Sequence, residues 1–368
     1  FAENSIRIGS RYGVHPDHHD LLLDRQISTL KTRKEVYRLL TEKKIFVSTI
    51  SSFYGKIDLL KLVRFDTAVI DEASQILEPN LVGLLSKFNR TVLIGDHCQL
   101  PAIVTQHPSE CSVKDEKLKS IGLHDLSDSL FERLFKIAVK NEWDHAFDRL
   151  TQQGRMHRQI NDFVSLRFYG GKLSCLDAGI PGAQRLHQSL SNYYSIEGEG
   201  KSNSPLSSGR IQFIDHPAAG LPVKTNAWEA QSVLELSKAY FKGRTREAKI
   251  PLDRLVGVIC PYRAQIALIK SILEEKLPEF CEYITVDTVE RYQGGARDVV
   301  LLSLCTNHPS QLRTLVNANR TGLDRKLNVA LTRAREQIVI LGNREILSQN
   351  ETYRDLIEKT EVKESFST

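Results

Sequence analysis

The chain has 368 residues, of which 41% are hydrophobic and 26% charged, and its formal net charge is +5. The length predicts two domains that each bury a core, and the composition is ordinary for a globular protein. The apolar runs fall short of the roughly 18 residues that span a bilayer, so we expect no membrane partner. The mild positive charge permits a polyanionic partner without requiring one.

The cysteines and the single methionine bear on the compartment and on the chain's ends. Six cysteines are scattered without a Cys-x-x-Cys pair, which argues against a structural zinc or iron–sulfur site and favours a reducing compartment. We expect the cytoplasm, or the nucleus if the source is eukaryotic. Met156 is internal and no signal peptide opens the chain, so we expect residue 1 to lie inside a domain of a longer protein.

Short, β-branched apolar runs alternate with longer amphipathic runs along the chain. The amphipathic runs predict helices at 77–88, 227–241 and 264–277. Most of the apolar runs are continuous, which is typical of strands covered on both faces in a parallel sheet. The predicted strands are 44–50, 66–72, 90–96, 210–216, 255–261, 283–289, 298–304 and 336–342.

This order of elements predicts an α/β fold. The first group of strands ends near residue 105, and a second αβ series runs to about residue 345. Two doubly wound lobes with mainly parallel sheets fit this order, the first over residues 1–148 and the second over residues 149–368. The segment 191–209 is rich in Ser, Gly, Asn and Pro, which predicts a surface loop within the second lobe.

Acidic side chains follow two predicted strands of the first lobe. Asp71 and Glu72 end the run TAVIDE, and Asp96 ends TVLIGD. In open parallel sheets, ligands bind outside the carboxyl ends of the strands. Mg²⁺ in nucleotide sites takes one or two carboxylates while it bridges phosphates, so the pattern predicts a magnesium and phosphate site. The alternative is a helix start, where acids interact favourably with the helix dipole.

Five stretches in a fixed order carry a family resemblance. They are VIDEASQ (69–75), LIGDHCQLP (93–101), QGRMHRQI (153–160), VDTVERYQGGARDVVLLS (286–303) and LNVALTRARE (327–336). With these motifs the chain resembles the superfamily 1 helicases, in the branch of the nonsense-mediated-decay RNA helicase and the replication helicase–nuclease. The resemblance implies two RecA-like lobes, helicase activity, and ATP and Mg²⁺ as cofactors.

The resemblance implies roles for polar residues of the first lobe. Asp71 matches the Mg²⁺ ligand, and Glu72 matches the general base that activates water. Asp96 and Gln99 match the sensor of the γ-phosphate. That role suits Gln99 because an amide can both donate to phosphate and accept from water.

In the second lobe, Arg155 and Arg333 match the two arginine fingers of the family. A planar, permanently charged guanidinium suits the charge of a transferring phosphoryl group. Gln153 precedes Arg155 as in the family, and Gln293 and Gly294 match the pair that couples nucleotide to nucleic acid. For Arg333 the alternative is a surface helix arginine. The resemblance implies an ATP site between the lobes, closed by nucleotide and released by hydrolysis.

The chain departs from the family pattern at several positions. Gly154 replaces an aromatic residue, Arg158 replaces proline, and Ala296 stands where an acid is common. The phosphate-binding sequence G-x-x-x-x-G-K-[ST] does not precede Asp71, and SIEGEGKS (195–202) lacks its first glycine. We therefore expect a first lobe that is incomplete at its N-terminus and a chain that by itself hydrolyses ATP negligibly.

Single-stranded nucleic acid is the partner that the resemblance implies, lying across both lobes on hydroxyls, amides and cations. The sequence VDTVERYQG is more similar to the replication helicase–nuclease, which favours DNA over RNA. The branch implies 5′→3′ movement, and we expect the motor to be monomeric. A capping or turn role is the alternative for the hydroxyl residues. The candidate contacts are Ser48, Thr49, Ser51, Tyr262, Arg263 and Thr288.

Two functions from different classes remain open. The first is the motor core of an ATP-dependent helicase, and the second is a catalytically dead nucleic-acid-binding or scaffold module. The missing phosphate loop favours the second for this chain, whereas the joint presence of Glu72, Gln99, Arg155 and Arg333 favours the first for the longer protein. A signalling NTPase of P-loop type needs one lobe only and leaves both arginines unexplained.

Overall fold

The computed structural model of the chain describes residues 2–190, 206, 209–216, 224–242, 255–292, 294–316 and 322–364. Its strands are β1 Ser5–Ile8, β2 Ile45–Ser48, β3 Thr67–Ile70, β4 Arg90–Leu93, β5 Gln152–Gln153, β6 Ser174–Cys175, β7 Ile211–Asp215, β8 Val256–Ile259, β9 Ile284–Asp287, β10 Arg297–Ser303, β11 Ala334–Gly342 and β12 Glu361–Glu364. Its helices are α1 Leu23–Ser28, α2 Arg33–Glu42, α3 Ile50–Tyr54, α4 Leu59–Leu62, α5 Pro79–Leu85, α6 Glu116–Ser120, α7 Leu130–Lys140, α8 Arg158–Phe168, α9 Ala227–Phe241, α10 Arg263–Lys276, α11 Leu312–Leu315, α12 Arg325–Thr332, α13 Arg344–Leu347 and α14 Glu351–Glu358. Among these described helices, none is long and apolar enough to cross a membrane.

The pairings between these strands are all parallel, which confirms an α/β fold with mainly parallel sheets. The chain divides into two compact units. The first consists of Phe1–His97 and Pro101–Trp143, and the second of Cys98–Leu100 and Asp144–Thr368. The boundary therefore lies slightly before the expected residue 148, and one short segment of the first half belongs to the second unit.

The first unit contains two separate parallel sheets. β1 pairs with β2, and β3 pairs with β4, while Ile6, Leu40 and Leu84 lie in the core of the unit. The prediction that continuous apolar strands are covered on both faces is wrong for β3 and β4, because Val69 is 62% and Val92 48% exposed. A strand is buried only where other elements pack on its faces. A sheet of two short strands offers those elements little area on which to pack.

A six-stranded sheet forms the centre of the second unit, in the order β12-β7-β11-β10-β8-β9. Alternate residues of the central strand β10 enter two different cores. Val300 and Leu302 pack in the core that includes α8 and α12, whereas Val299 and Leu301 pack in the core that includes α9 and α10. Helices therefore cover both faces of the sheet, as the continuous apolar runs predict.

Capping residues explain where two of the helices begin. The side chain of Asn226 accepts the backbone N–H of Glu229 at the start of α9, and Thr32 and Glu35 form a capping box on α2. The eight predicted strands and three predicted helices are confirmed, and α9 covers the predicted range 227–241 in full. The strands that the sequence did not predict have four residues or fewer.

Candidate functional site

Two carboxylates follow the carboxyl end of β3. Asp71 and Glu72 are both exposed, and the backbone N–H of Glu72 donates to Asp71 Oδ1 at 2.9 Å. Gln75 Nε2 donates to Glu72 Oε2 at 2.5 Å. Glu72 has a left-handed backbone with φ of 52°, a conformation that costs energy for a residue with a side chain and is concentrated at functional sites.

The carboxyl end of β4 is hydrogen-bonded to the turn that follows this carboxylate pair. The N–H of Ala73 donates to the carbonyl of Ile94 at 2.8 Å, and the N–H of Asp96 donates to Ser74 Oγ at 3.3 Å. A Cβ at Gly95 would lie 2.9 Å from the backbone nitrogen of Ser74, so only glycine allows the two tips to approach this closely. The structure thus brings the predicted acids to neighbouring tips of one parallel pair.

The donor set at these tips fits a magnesium ion. Asp71 is exposed and offers carboxylate oxygens, which are the ligands that Mg²⁺ prefers, with water in the remaining positions. The helix-start alternative accounts for less of the geometry, since Glu72 makes no side-chain cap and only a single 3-10 turn, Ala73–Gln75, follows it.

Gln99 does not belong to the same compact unit as Asp96. The segment Cys98–Leu100 is part of the second unit, where the carbonyl of Cys98 accepts from Asn328 Nδ2 at 2.8 Å and Leu100 enters the core. The two residues expected to act together as a phosphate sensor are therefore carried by different units. Both side chains are half-buried.

The turn that carries Arg155 is organised by the side chain of Gln153. Its Oε1 accepts the N–H groups of Arg155 at 2.8 Å and Met156 at 2.7 Å, and its Nε2 donates to the carbonyl of Met156 at 3.0 Å. Arg155 itself is exposed. A Cβ at Gly154 would lie 3.1 Å from Leu176 Cδ1, so the aromatic residue of the family pattern would displace that leucine.

Arg333 is buried, with 1% of its surface exposed. Its guanidinium donates to the carbonyls of Val329 and Gly295, both at 3.2 Å, and to Thr332 Oγ1 at 3.1 Å. The alternative of a surface helix arginine is therefore wrong. Gly294, beside this contact, is exposed, whereas Gln293 lies outside the described residues.

The amino end of β11 connects both arginine-bearing segments. The backbone N–H of His157 donates to the carbonyl of Arg335 at 2.7 Å, and that of Arg297 donates to the carbonyl of Arg333 at 2.9 Å. His157 Nδ1 accepts the N–H of Gln159. Burial and the nearby Arg210 lower the pKa of His157 to about 4, so the imidazole is neutral at pH 7 and keeps this acceptor.

Three candidate nucleic-acid contacts lie at the carboxyl ends of the strands of the six-stranded sheet, which is the edge opposite to the amino end of β11. Tyr262 and Arg263 follow β8, and Thr288 follows β9; the ends of these strands are joined by the N–H of Cys260 and the carbonyl of Asp287 at 3.1 Å. Arg263 is exposed, and Tyr262 and Thr288 are half-buried. Strands β8, β10 and β11 run parallel, so this edge lies at the end of the sheet opposite to Arg333.

Gln265, in the same segment as Tyr262, is a structural residue. It is fully buried, its Oε1 accepts the N–H of Asn226 at 2.8 Å, and its Nε2 donates to the carbonyl of Asn226 and to Ser303 Oγ, each at 3.0 Å. It holds the start of α10 against the start of α9.

The hydroxyl-rich turn after β2 lies in the first unit. Thr49 Oγ1 accepts the N–H of Ser52 at 3.2 Å as the cap of α3, and Ser48 Oγ donates to the carbonyl of Thr49 at 2.8 Å. The capping alternative thus holds for Thr49. Thr49 and Ser51 are exposed, which leaves their outer surfaces open to solvent.

Several residues that organise these sites were not predicted from the sequence. Gln75 orients Glu72, and its position three residues later in DEASQ is a signal that could have found it. Arg185 contacts the turn of Arg155 from a distant part of the chain, and Glu336 in turn accepts a hydrogen bond from Arg185. No local pattern could have indicated either residue.

Comparisons with known proteins agree with these motifs. A family model described as "AAA domain" matches residues 126–345, and a second of the same description matches residues 19–107. The chain is 30% identical over 337 residues to the DNA polymerase alpha-associated DNA helicase A of Saccharomyces cerevisiae, covering 86% of this chain and 44% of that protein.

Two further relatives show the range of the similarity. The chain is 29% identical over 368 residues to the DNA replication ATP-dependent helicase/nuclease DNA2 of Mus musculus, covering 93% of this chain and 31% of that protein. It is 30% identical over 308 residues to the regulator of nonsense transcripts 1 homolog of Arabidopsis thaliana, covering 82% of this chain and 22% of that protein. The chain thus spans less than half the length of each of these relatives.

Proposed function

Because the chain belongs to the superfamily 1 helicases, in the branch of the nonsense-mediated-decay RNA helicase and the replication helicase–nuclease, we propose that the full-length protein is an ATP-dependent motor on single-stranded nucleic acid. One observation carries this proposal. Two exposed carboxylates, Asp71 and Glu72, are held at the tip of β3 beside the tip of β4 that leads to Asp96.

The residues of the first unit take the following roles. Asp71 holds Mg²⁺, which when bound neutralises charge on the nucleotide phosphates. Glu72 accepts the proton of the attacking water, and its hydrogen bond from Gln75 fixes the carboxylate in the orientation that this transfer needs. Asp96 and Gln99 report the presence of the γ-phosphate.

The residues of the second unit supply positive charge to the transferring phosphoryl group. Arg155 is exposed and lies on an organised turn, ready to reach an anion. Arg333 is packed against Gly295, which directly follows Gly294 in the chain. We propose that it exchanges its carbonyl partners for phosphate oxygens on nucleotide binding, and so links the nucleotide to the segment that continues from Thr288.

Single-stranded nucleic acid contacts the carboxyl edge of the second unit's sheet, through Tyr262, Arg263 and Thr288, and the first unit through Ser48, Thr49 and Ser51. The nine residues of β11 separate this edge from the arginine edge by about 30 Å, which gives two ligands separate surfaces. The relatives' names include both a DNA helicase and a regulator of nonsense transcripts. On the motif VDTVERYQG we propose DNA as the substrate, with 5′→3′ movement.

The motor works as a monomer in the cytoplasm, or in the nucleus of a eukaryote. Nucleotide draws the carboxylate tips of one unit and the arginines of the other together, and hydrolysis releases them. Such ligand-driven closure moves a strand that is held by both units.

The proposal is tested by the ATPase activity of the full-length protein, measured with and without single-stranded oligonucleotides. Separate DNA and RNA arms at low salt identify the substrate. Stimulated hydrolysis that depends on Mg²⁺ supports the motor. Tight oligonucleotide binding without hydrolysis in any arm would instead establish the scaffold function.

A further inference from the structure

Arg185 reaches the turn of Arg155 from the 3-10 helix Gln184–His187. Its Nη2 donates to the carbonyls of Gly154 at 2.6 Å and Arg155 at 2.9 Å. Its Nη1 donates to Glu336 Oε1 at 3.0 Å. One planar guanidinium therefore joins two neighbouring peptide carbonyls of the turn to a carboxylate on β11.

Glu336 is a fixed anchor for this contact. It is 4% exposed, and its second oxygen accepts from Arg210 Nη1 at 2.9 Å. Arg210 is 2% exposed and also donates to the backbone carbonyl of Glu336 at 3.0 Å. A buried carboxylate held by a buried guanidinium has little freedom, and so Arg185 is held in place by a rigid strand.

We propose that Arg185 is a positioning residue for Arg155, an inference that rests on the proposed function. The carbonyls of residues 154 and 155 flank the Cα of Arg155, and Gln153 already accepts the N–H of Arg155. With the peptides on both sides of this Cα fixed, the direction of the Arg155 side chain is fixed as well. An exposed, long side chain gains the most from such preorganisation, because misplacement by about 1 Å can cost as much as 100-fold in rate.

Lysine cannot reproduce this contact in full. Arg185 uses two nitrogens of a rigid fork to reach three acceptors in different directions, whereas an ammonium group is a compact charge on a flexible stem. Arg185→Lys keeps the charge beside Glu336 and retains part of the hold on the turn. It therefore serves as the conservative variant in the test.

The test is a double-mutant cycle on the nucleic-acid-stimulated ATPase of the full-length protein. The variants are Arg185→Gln, Arg155→Ala, both together and Arg185→Lys, with Arg354→Gln as the matched control at an exposed arginine of the same unit. We expect Arg185→Gln to lower kcat about 10-fold to 100-fold with KM for ATP little changed, and Arg185→Lys to restore part of the loss.

Coupling distinguishes positioning from a general structural role. In the Arg155→Ala background, we expect Arg185→Gln to change kcat by no more than about twofold. The inference would be overturned if the loss of kcat in the double variant equalled the product of the two single losses. It would also be overturned if Arg185→Gln left kcat unchanged. If Arg155→Ala itself leaves kcat unchanged, the proposed role of Arg155 fails first. Thermal unfolding verifies folding, and should Arg185→Gln unfold, the cycle is run with Arg185→Lys.

Discussion

His157 donates its backbone N–H to the carbonyl of Arg335, 2.7 Å away, and this bond joins the turn of Arg155 to the strand that begins next to Arg333. Both candidate arginines thus depend on the first residues of β11 for their placement. The second unit presents them as one assembly rather than as two independent side chains. Substitutions at the start of β11 are expected to affect both.

The first prediction concerns the base. Glu72→Gln in the full-length protein removes the proton acceptor while it keeps the size of the side chain. We expect ATP hydrolysis to fall by about 100-fold or more, the usual contribution of a positioned base, with nucleotide binding retained. Steady-state hydrolysis and binding of a fluorescent nucleotide measure the two effects.

Glu116→Gln is the matched control for this change, since Glu116 is an exposed glutamate of the same unit, paired with Lys119. We expect it to leave hydrolysis unaltered. Robust turnover in Glu72→Gln would remove Glu72 from the mechanism.

The second prediction concerns the close approach of the two strand tips. Gly95→Ala places a Cβ 2.9 Å from the Ser74 nitrogen and 3.3 Å from the ring of Phe131. We expect a loss of about 1–3 kcal/mol in the free energy of unfolding, as for other overpacked sites, and weaker nucleotide binding. Gly179→Ala, where no atom lies within 4 Å, should cost little. Equal denaturation midpoints for the two variants would contradict the prediction.

The third prediction concerns pH. Burial and Arg210 hold the pKa of His157 at about 4, below its ordinary value of 6.5. Between these values the unfolded chain binds the proton and the native chain does not, so stability rises with pH across this window and is complete above 6.5. As pH falls to 4, we expect a loss of at most about 3 kcal/mol from this group.

His157→Asn keeps an acceptor for the start of α8 and removes the titration. Urea unfolding of the variant between pH 4 and 6.5 should show a smaller slope with pH than the parent. An identical slope would show that other groups control stability there.

The fourth prediction concerns nucleic acid. Arg263 is an exposed cation at the start of α10, beside Tyr262. We expect Arg263→Ala to weaken binding to single-stranded oligonucleotides of any sequence and to reduce the salt slope of the affinity by about one. Lys270→Ala, an exposed cation farther along the same helix, should change neither quantity. Fluorescence anisotropy at several salt concentrations measures both, and equal effects of the two variants would place the nucleic acid elsewhere.

The sequence predicts the regular parts of the fold well, because continuous apolar runs such as 298–304 form the centre of the six-stranded sheet. It also predicts which tips carry Asp71, Glu72 and Asp96, since parallel strands end at a common edge. What it could not provide was burial in the first unit, where Val69 stays exposed, because burial depends on which elements pack against a strand.

Long-range contacts also could not be predicted from the sequence. Arg333 has the sequence surroundings of a helix-end arginine, yet its partner Gly295 is 38 residues away. The contact of Arg185 with Glu336 joins residues 151 positions apart. Each arginine can find many carbonyls and carboxylates in an unfolded chain, and only the assembled sheet selects among them.

The parallel order of the second unit has a consequence for how the protein is made. Ile211 in β7 pairs with Ile338 in β11, so a ribosome must synthesise the whole segment from β8 to β11 before these neighbours can meet. Until then, β7 exposes an apolar edge. Closing such long loops is slow, and we expect nascent chains to need chaperones and to aggregate when translation stalls before β11.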